Sequence, residues 1–175
     1  ISNISILEPN GGCRGFDTGP GNILLDAWCQ KHTHKNYDNK GQWGATGSHN
    51  VALLTQLKSH NFFHRTGPKS TGREDFNLGW LEQQTHLLDI TPADIQATLA
   101  LYTADTIAQS IADLAQPIDE IFVCGGGIFN LELILKLNES LLKRTMPAIQ
   151  STASIGLEPN WVEACAFAWL AKQRI

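Results

Sequence analysis

The chain has 175 residues, of which 17% are charged and 42% are hydrophobic, and its net charge at pH 7 is −4. This length suits one domain of ordinary size, and the hydrophobic share can fill a core, which excludes a disordered or fibrous chain. The acidic balance argues against a nucleic-acid partner, since dedicated binders usually carry a basic surplus. No apolar run approaches the roughly 20 residues of a membrane span. We therefore expect a soluble, cytoplasmic protein that contacts neither nucleic acid nor membrane.

The first residue and the methionine content indicate a partial chain. The chain begins with Ile1 and contains one methionine, Met146. Because a native reading frame starts with methionine, we expect a fragment or a processed product of a longer protein. A function inferred from these residues would then belong in part to that longer protein.

The cysteines predict no disulfide framework. They form no C-x-x-C pair and lie among apolar residues or glycines, which favours reduced and mostly buried thiols. Cys29 is close in sequence to His32 and His34, but no fourth ligand follows at a spacing typical of zinc sites. We therefore expect no metal site built from side chains. The four cysteines are Cys13, Cys29, Cys124 and Cys165.

The predicted elements alternate between strands and helices, which indicates an α/β fold. Alternating apolar residues predict an N-terminal hairpin with strands around residues 4–6 and 13–16. The clearest helix is predicted from Pro92 to Ala115, with Thr91 as its N-cap. The remaining predictions are helices over residues 22–32, 49–60, 130–142 and 161–172, strands over residues 118–124 and 145–150, and polar loops over residues 31–47 and 65–75.

Asp17 stands at the end of the second predicted strand, within the run GFDTGPGN at residues 15–22. Glycines after the strand leave backbone N–H groups free to bind an anion such as phosphate. A carboxylate beside that anion could act as a general base. The same residues also form good turns, in which Asp17 would bind its own backbone. The pattern alone leaves both interpretations open.

Three consecutive glycines, at residues 125–127, follow a predicted buried strand. A strand that ends in glycines lets the backbone approach a nucleotide closely, and the next helix offers its N-terminus. The run is not G-x-G-x-x-G, and no Walker lysine follows it. The alternative is a helix entry that needs unusual backbone angles. The pattern favours the nucleotide contact over this alternative.

Two further segments carry charged residues with two interpretations each. Asn160 followed by Glu163 matches a capping box at the start of the last helix, so the pattern alone favours a structural role for Glu163. Lys69 and Arg73, in the second polar loop, could clamp an anion or simply be solvated. The sequence does not decide between these last two roles.

Together these segments resemble the C-terminal half of the anhydro-N-acetylmuramic acid kinases. Any single motif could arise by chance, but their order along essentially the whole chain is specific. The family's opening loop, which holds the phosphates of ATP, has no match here. The matching motifs are GFDTGPGN (15–22) with DAW (26–28), PKSTGRE (68–74) with FN (76–77) and GWL (79–81), DIQATL (94–99), VCGGG (123–127) with Asn130, and EA (163–164) with AFAWLA (166–171).

The resemblance implies one lobe of the actin-like ATPase and sugar kinase fold, a ribonuclease H-like α/β fold with a central mixed sheet flanked by helices. In this fold two similar lobes close over ATP. Residues 1–175 would form the C-terminal lobe, and the N-terminal lobe with the phosphate-binding loop would be absent. The expected partners are that lobe, ATP, a small amino sugar and, as a candidate, a second copy of the chain.

The resemblance also implies an ATP-dependent kinase of peptidoglycan recycling. It would convert 1,6-anhydro-N-acetylmuramic acid, ATP and water to N-acetylmuramic acid 6-phosphate and ADP, with Mg²⁺ as cofactor. Asp17 would activate the attacking water, and Glu163 would lie at the sugar, which reverses the interpretation from the pattern. Lys69 and Arg73 match a family motif, with no role implied. The other implied contacts are Gly19, Pro20, Gly21 and Asn22 for the substrate, and Gly125, Gly126, Gly127 and Asn130 for the nucleotide.

Two alternatives to this function stay open at this point. The chain could be a catalytically inactive fragment that binds nucleotide or serves assembly, or it could belong to a different sugar kinase of the same fold. Because the phosphate loop has no match, we expect the chain by itself to be inactive.

Overall fold

The computed structural model describes residues 1–114 and 116–174 and shows a mixed α/β chain. The predicted hairpin and the five predicted helices are present, within a few residues of their expected ends. The longest helix ends at Ala112, and its predicted end, Ala115, lies outside the described residues. The strands are β1 (Ser2–Leu7), β2 (Cys13–Gly19), β3 (Ile121–Val123) and β4 (Ile149–Ser151). The helices are α1 (Ile23–Thr33), α2 (Val51–Lys58), α3 (Leu78–Thr85), α4 (Pro92–Ala112), α5 (Leu131–Leu142) and α6 (Val162–Gln173), with short 3-10 helices at Asn39–Gly41, Gly44–Thr46, Asn61–His64, Gly126–Phe129, Thr152–Ile155 and Pro159–Trp161.

The strands form two separate two-stranded sheets. β1 and β2 pair antiparallel, with Ile4 opposite Phe16, and β3 and β4 pair in parallel over three residues each. The expectation of a central mixed sheet is therefore wrong for residues 1–114 and 116–174. The strands predicted over 118–124 and 145–150 shorten to three residues, and each strand has a single neighbour, so neither sheet extends to the other.

Helix α4 forms the centre of the fold. It begins as predicted, because the side-chain oxygen of Thr91 accepts a hydrogen bond from the N–H of Asp94 at 3.2 Å, and Pro92 lies in the first turn. The pattern predicts one apolar stripe, yet the buried residues of α4 lie on all its sides. A helix that is buried all round lies inside a fold. Accordingly, α4 contacts α1, α2, α5 and the hairpin.

An aromatic cluster supports the polar loop at residues 65–75. Phe62 and Phe76 are fully buried, and their rings meet edge to face with centroids 5.7 Å apart. The ring of Phe63 meets Tyr102 of α4 edge-on, also at 5.7 Å. Each such pair adds about 0.5–1.5 kcal/mol beyond the area that it buries. The loop therefore rests on a well-packed aromatic layer next to α4.

An ion-pair network ties three helices together at Asp105 of α4. Its carboxylate accepts hydrogen bonds from Lys58 of α2 and from Nη2 of Arg144, just after α5, the latter at 2.6 Å. Burial by itself raises the pKa of the Asp105 carboxyl, but the hydrogen bonds and charges of these two partners outweigh burial and hold the pKa below its usual value. The ionised carboxylate of Asp105, together with its two cationic partners, therefore stabilises the fold at pH values above about 4, the pKa of an unfolded Asp.

We expect Arg144→Met to lower the free energy of unfolding at pH 7 by about 2 kcal/mol, because it leaves a mostly buried carboxylate with one cation fewer. The stabilisation is lost as the pH falls through the folded pKa of Asp105, so the difference between variant and wild type should narrow from pH 7 toward pH 3. Urea unfolding at several pH values measures both effects. Arg14→Met, which breaks an exposed pair with Glu8, is the control and should change stability by under about 1 kcal/mol. A difference that stays constant over this pH range would contradict the assignment.

The cysteines are mostly exposed. All four cysteines are free thiols, but the prediction that most are buried is wrong: only Cys29 is buried. The other three are exposed because they lie on β2, beside the glycine turn and on α6, and these elements face solvent there.

Within the described residues, none of the helices combines the length and the apolarity that a bilayer crossing requires.

Candidate active site

Asp17 lies near the end of β2, between β1 and the loop at residues 65–75. It stands opposite Asn3 of β1, and its N–H donates to the carbonyl of Lys69 at 2.9 Å. Oδ2 of its carboxylate accepts a hydrogen bond from the N–H of Thr71, also at 2.9 Å. The alternative in which Asp17 bonds its own turn is therefore wrong. Oδ1 has no hydrogen-bond partner among residues 1–114 and 116–174, so one oxygen is held and the other is available.

The turn after Asp17 is packed more tightly than its sequence indicates. Gly19, Pro20 and Gly21 are all buried. Gly21 has a φ of 57°, and a Cβ there would lie 2.7 Å from the backbone nitrogen of Ser2, so only glycine fits. Asn22, in contrast, is half-buried, and its side chain makes no capping hydrogen bond to α1. Asn22 is therefore the residue of this turn whose polar side chain is free to contact a ligand.

The glycine turn at residues 125–127 lies against Asn22. A Cβ on Gly127 would lie 3.3 Å from Oδ1 of Asn22, which places the two turns side by side. Gly125 has a φ of 79°, and no atom lies within 4 Å of where its Cβ would be, so the backbone is open there. Both glycine-containing turns that the sequence singles out thus meet at one place. The positive φ of Gly125 also confirms the alternative interpretation of this turn, in which the entry to the helix needs a backbone conformation that favours glycine.

Asn130 follows the glycine turn and caps α5. Its Oδ1 accepts a hydrogen bond from the N–H of Leu133 at 3.0 Å, so this oxygen has a structural role. The backbone of Gly41 packs directly against the same side-chain oxygen. Only the amide nitrogen of Asn130 stays available for the predicted nucleotide contact.

Glu163 lies in the first turn of α6 and is exposed. The predicted capping box is wrong: the N-cap of α6 is Trp161, and no side chain caps it, because Asn160 lies inside the 3-10 helix Pro159–Trp161. The N–H of Gly125 donates to the carbonyl of Pro159 at 3.0 Å, which joins the base of α6 to the glycine turn. No hydrogen bond or ion pair links the Glu163 side chain to another described residue, Asp17 included.

A second carboxylate, Asp26, lies in the first turn of α1, one helical turn after Asn22. Burial raises the pKa of the Asp26 carboxyl. Asp26 and Thr71 both belong to the sequence motifs given above, but the sequence predicts no role for either. The position of Asp26 one helical turn after Asn22 is the signal that could have found it.

The residues considered for a metal site are not assembled into one. The Sγ atom of Cys29 is buried and hydrogen-bonds to Oγ1 of Thr33 at 3.2 Å. The ring of His32 contacts that of Trp28, with centroids 4.1 Å apart and planes tilted by 47°. In the part of the chain that the structure describes, no group of three or more His, Cys, Asp or Glu side chains could hold a metal ion.

The fold and the site define a mixed α/β protein in which a held carboxylate lies close to two adjacent glycine turns, a combination that suits phosphate-handling enzymes. Residues 1–175 match the family model described as anhydro-N-acetylmuramic acid kinase, and the chain belongs to this family. The resemblance inferred from the sequence motifs is thereby confirmed.

Several curated relatives of the chain are named anhydro-N-acetylmuramic acid kinase. The protein of Pseudomonas savastanoi pv. phaseolicola is 49% identical over 172 residues, which are 98% of this chain and 46% of that protein. The protein of Vibrio cholerae is 46% identical over 176 residues, covering 100% of this chain and 47% of its own length. The protein of Acinetobacter baylyi is 45% identical over 183 residues, covering 98% and 48%. The chain thus spans about half the length of the curated relatives it matches.

Proposed function

We propose that this chain is the C-terminal lobe of an ATP-dependent kinase that converts 1,6-anhydro-N-acetylmuramic acid and water to N-acetylmuramic acid 6-phosphate. The observation that carries the proposal is the carboxylate of Asp17, with Oδ2 bound by the Thr71 N–H and Oδ1 free. The names of the relatives supply the substrate class. The glycine turn at residues 125–127 supplies open backbone that a nucleotide could approach, and Asn22 beside it could contact the sugar.

In the proposed reaction, Asp17 acts as the general base. Its Oδ1 accepts a proton from a water molecule, whose oxygen bonds to C1 of the sugar. The bond between C1 and O6 breaks, and O6 takes the γ-phosphoryl group from ATP, which leaves as ADP. The proton on Asp17 then passes to solvent. Phosphoryl transfer needs mainly positioning and charge neutralisation, so the protein's main task is to align water, sugar and ATP.

The remaining site residues divide between the two ligands. Asn22 stands between the turns and can contact the sugar or the phosphate end of the nucleotide, and Glu163 contacts sugar hydroxyls. Gly19, Pro20 and Gly21 are buried and act by shaping the turn that presents Asn22. The turn at residues 125–127, with the amide nitrogen of Asn130, faces the adenosine part of ATP.

Helix α6 supports a two-lobed, actin-like arrangement. It has no buried residue, and Phe167 and Trp169 on it are 65% and 60% exposed. An exposed apolar surface of this kind usually marks an interface. Because the relatives are about twice as long as this chain, the rest of the protein is the occupant that we propose for this surface. Its docking would also bring groups of the other lobe next to Glu163.

ATP is the phosphoryl donor, and Mg²⁺ is the cofactor that binds together with it. Mg²⁺ is commonly held by substrate phosphates, water and one or two carboxylates. Among the described residues, no group of three or more His, Cys, Asp or Glu side chains forms a dedicated metal site.

The product distinguishes this function from that of another sugar kinase. The full-length protein that contains this chain should convert the anhydro sugar to a product whose mass increases by one phosphate group and one water. Mass spectrometry measures both additions in one spectrum. A product that gains phosphate but keeps its anhydro ring, or turnover of ordinary hexoses alone, would contradict the proposal.

A further inference from the structure

We propose that Lys69 is a positioning residue: its ammonium group, held against Phe62, fixes the loop segment whose backbone orients the carboxylate of Asp17. The inference rests on the proposed role of Asp17 as the base. It assigns a role to a lysine that the sequence left undecided between an anion clamp and a solvated residue.

The ammonium of Lys69 points into the aromatic cluster. Nζ donates to the carbonyl of Phe62 at 3.3 Å and lies 4.6 Å from the centroid of the Phe62 ring. It also lies 5.9 Å from the ring of Phe63. A cation over two aromatic faces is attracted by the electron density of the rings, and this attraction strengthens as the cation loses water. Burial lowers the pKa of this ammonium, in keeping with its inward direction.

The backbone of the same segment holds Asp17 at two points. The carbonyl of Lys69 accepts the N–H of Asp17, and two residues later the N–H of Thr71 donates to Oδ2. The hydroxyl of Thr71 donates to Asp75 at 2.7 Å, and Asp75 lies 3.7 Å from Nη1 of Arg65. The segment is thus fixed on one side by Lys69 and on the other by Asp75, with Asp17 bound between.

This arrangement selects which oxygen of Asp17 receives the proton. With Oδ2 occupied by the Thr71 N–H, Oδ1 is the free acceptor, and its direction depends on where the loop segment lies. A displacement of about 1 Å in a reacting group can reduce the rate about 100-fold. Lys69 therefore affects catalysis through the loop and Asp17, because its ammonium is directed to the carbonyl and the ring of Phe62.

The test uses the full-length protein with Lys69→Met, which keeps the length of the side chain but removes its charge. We expect kcat to fall about 10- to 100-fold while the KM for ATP stays within about twofold. Lys69→Arg, which can keep both the hydrogen bond and the ring contact, should recover most of kcat. The matched control is Lys31→Met: that ammonium also lies near a ring, 5.4 Å from Trp28, and pairs with Glu82, but kcat should not change.

A second measurement separates this inference from the proposed function. Hydrogen exchange at the Thr71 amide, measured without substrates, should become about tenfold faster in Lys69→Met than in wild type. This exchange rate can be measured whether or not the protein has kinase activity. If Lys69→Met does not fold, Lys69→Gln provides the same comparison. Unchanged exchange at Thr71 overturns the inference. A raised KM for ATP with unchanged kcat also overturns it, because that result assigns Lys69 to phosphate binding.

Discussion

Asp17→Asn in the full-length protein should abolish phosphorylation of the anhydro sugar, with kcat falling about 10³-fold or more, while ATP binding persists. Asparagine has nearly the shape of aspartate, and its side-chain oxygen can still accept the hydrogen bond from the Thr71 N–H. Its amide cannot take a proton from water. The substitution therefore removes the proposed proton acceptor and leaves the packing of β2 in place.

Two measurements on the same preparation check this expectation. A coupled assay of ADP release gives kcat, and calorimetry gives the affinity for ATP. Asp89→Asn is the matched control, because Asp89 is an exposed carboxylate in the connection between α3 and α4 and should leave kcat unchanged. Wild-type turnover in Asp17→Asn would rule out Asp17 as the base. Loss of ATP binding together with turnover would point to a structural defect.

Features that depend on neighbouring residues could be predicted from the sequence. The start of α4 follows from Thr91 and Pro92 alone, and the hairpin follows from alternating residues around a glycine turn. Helix α3 was missed, although Asn77 caps it by accepting the N–H of Trp80 at 3.0 Å. With eight residues, α3 is too short for its apolar spacing to stand out from the polar segments beside it.

The site shows where local patterns are insufficient. Asp17 could be identified as a carboxylate at a strand end, but its partner Thr71 lies 54 residues further along the chain, and no local pattern indicates that contact. Asn160 and Glu163 have the spacing of a capping box, which is why the sequence predicts one there. It fails because Pro159 starts a 3-10 turn that places Asn160 inside it. The expected central sheet fails for a related reason, since strand pairing depends on distant neighbours.

The isolated 175-residue chain should show less than about a thousandth of the turnover of the full-length protein, because ATP would lack the groups that align its phosphates. Adding the remaining part of the protein as a separate chain should restore turnover by covering α6. Each large apolar side chain that becomes buried on docking stabilises the complex by about 1.5–3 kcal/mol. The isolated chain and the mixture can be compared in one ADP assay.

The double variant Phe167→Glu with Trp169→Glu should prevent this restoration, because docking would then bury two carboxylates without partners. Both side chains are largely exposed, so the melting temperature of the isolated chain should stay unchanged. Leu87→Glu is the control: Leu87 is 84% exposed and lies far along the sequence from α6, so restoration should proceed as in wild type. Turnover by the isolated chain, or restored turnover with the double variant, would contradict the proposal that docking against α6 completes the active site. Binding of ATP by the mixture without any turnover would favour the alternative of an inactive nucleotide-binding fragment.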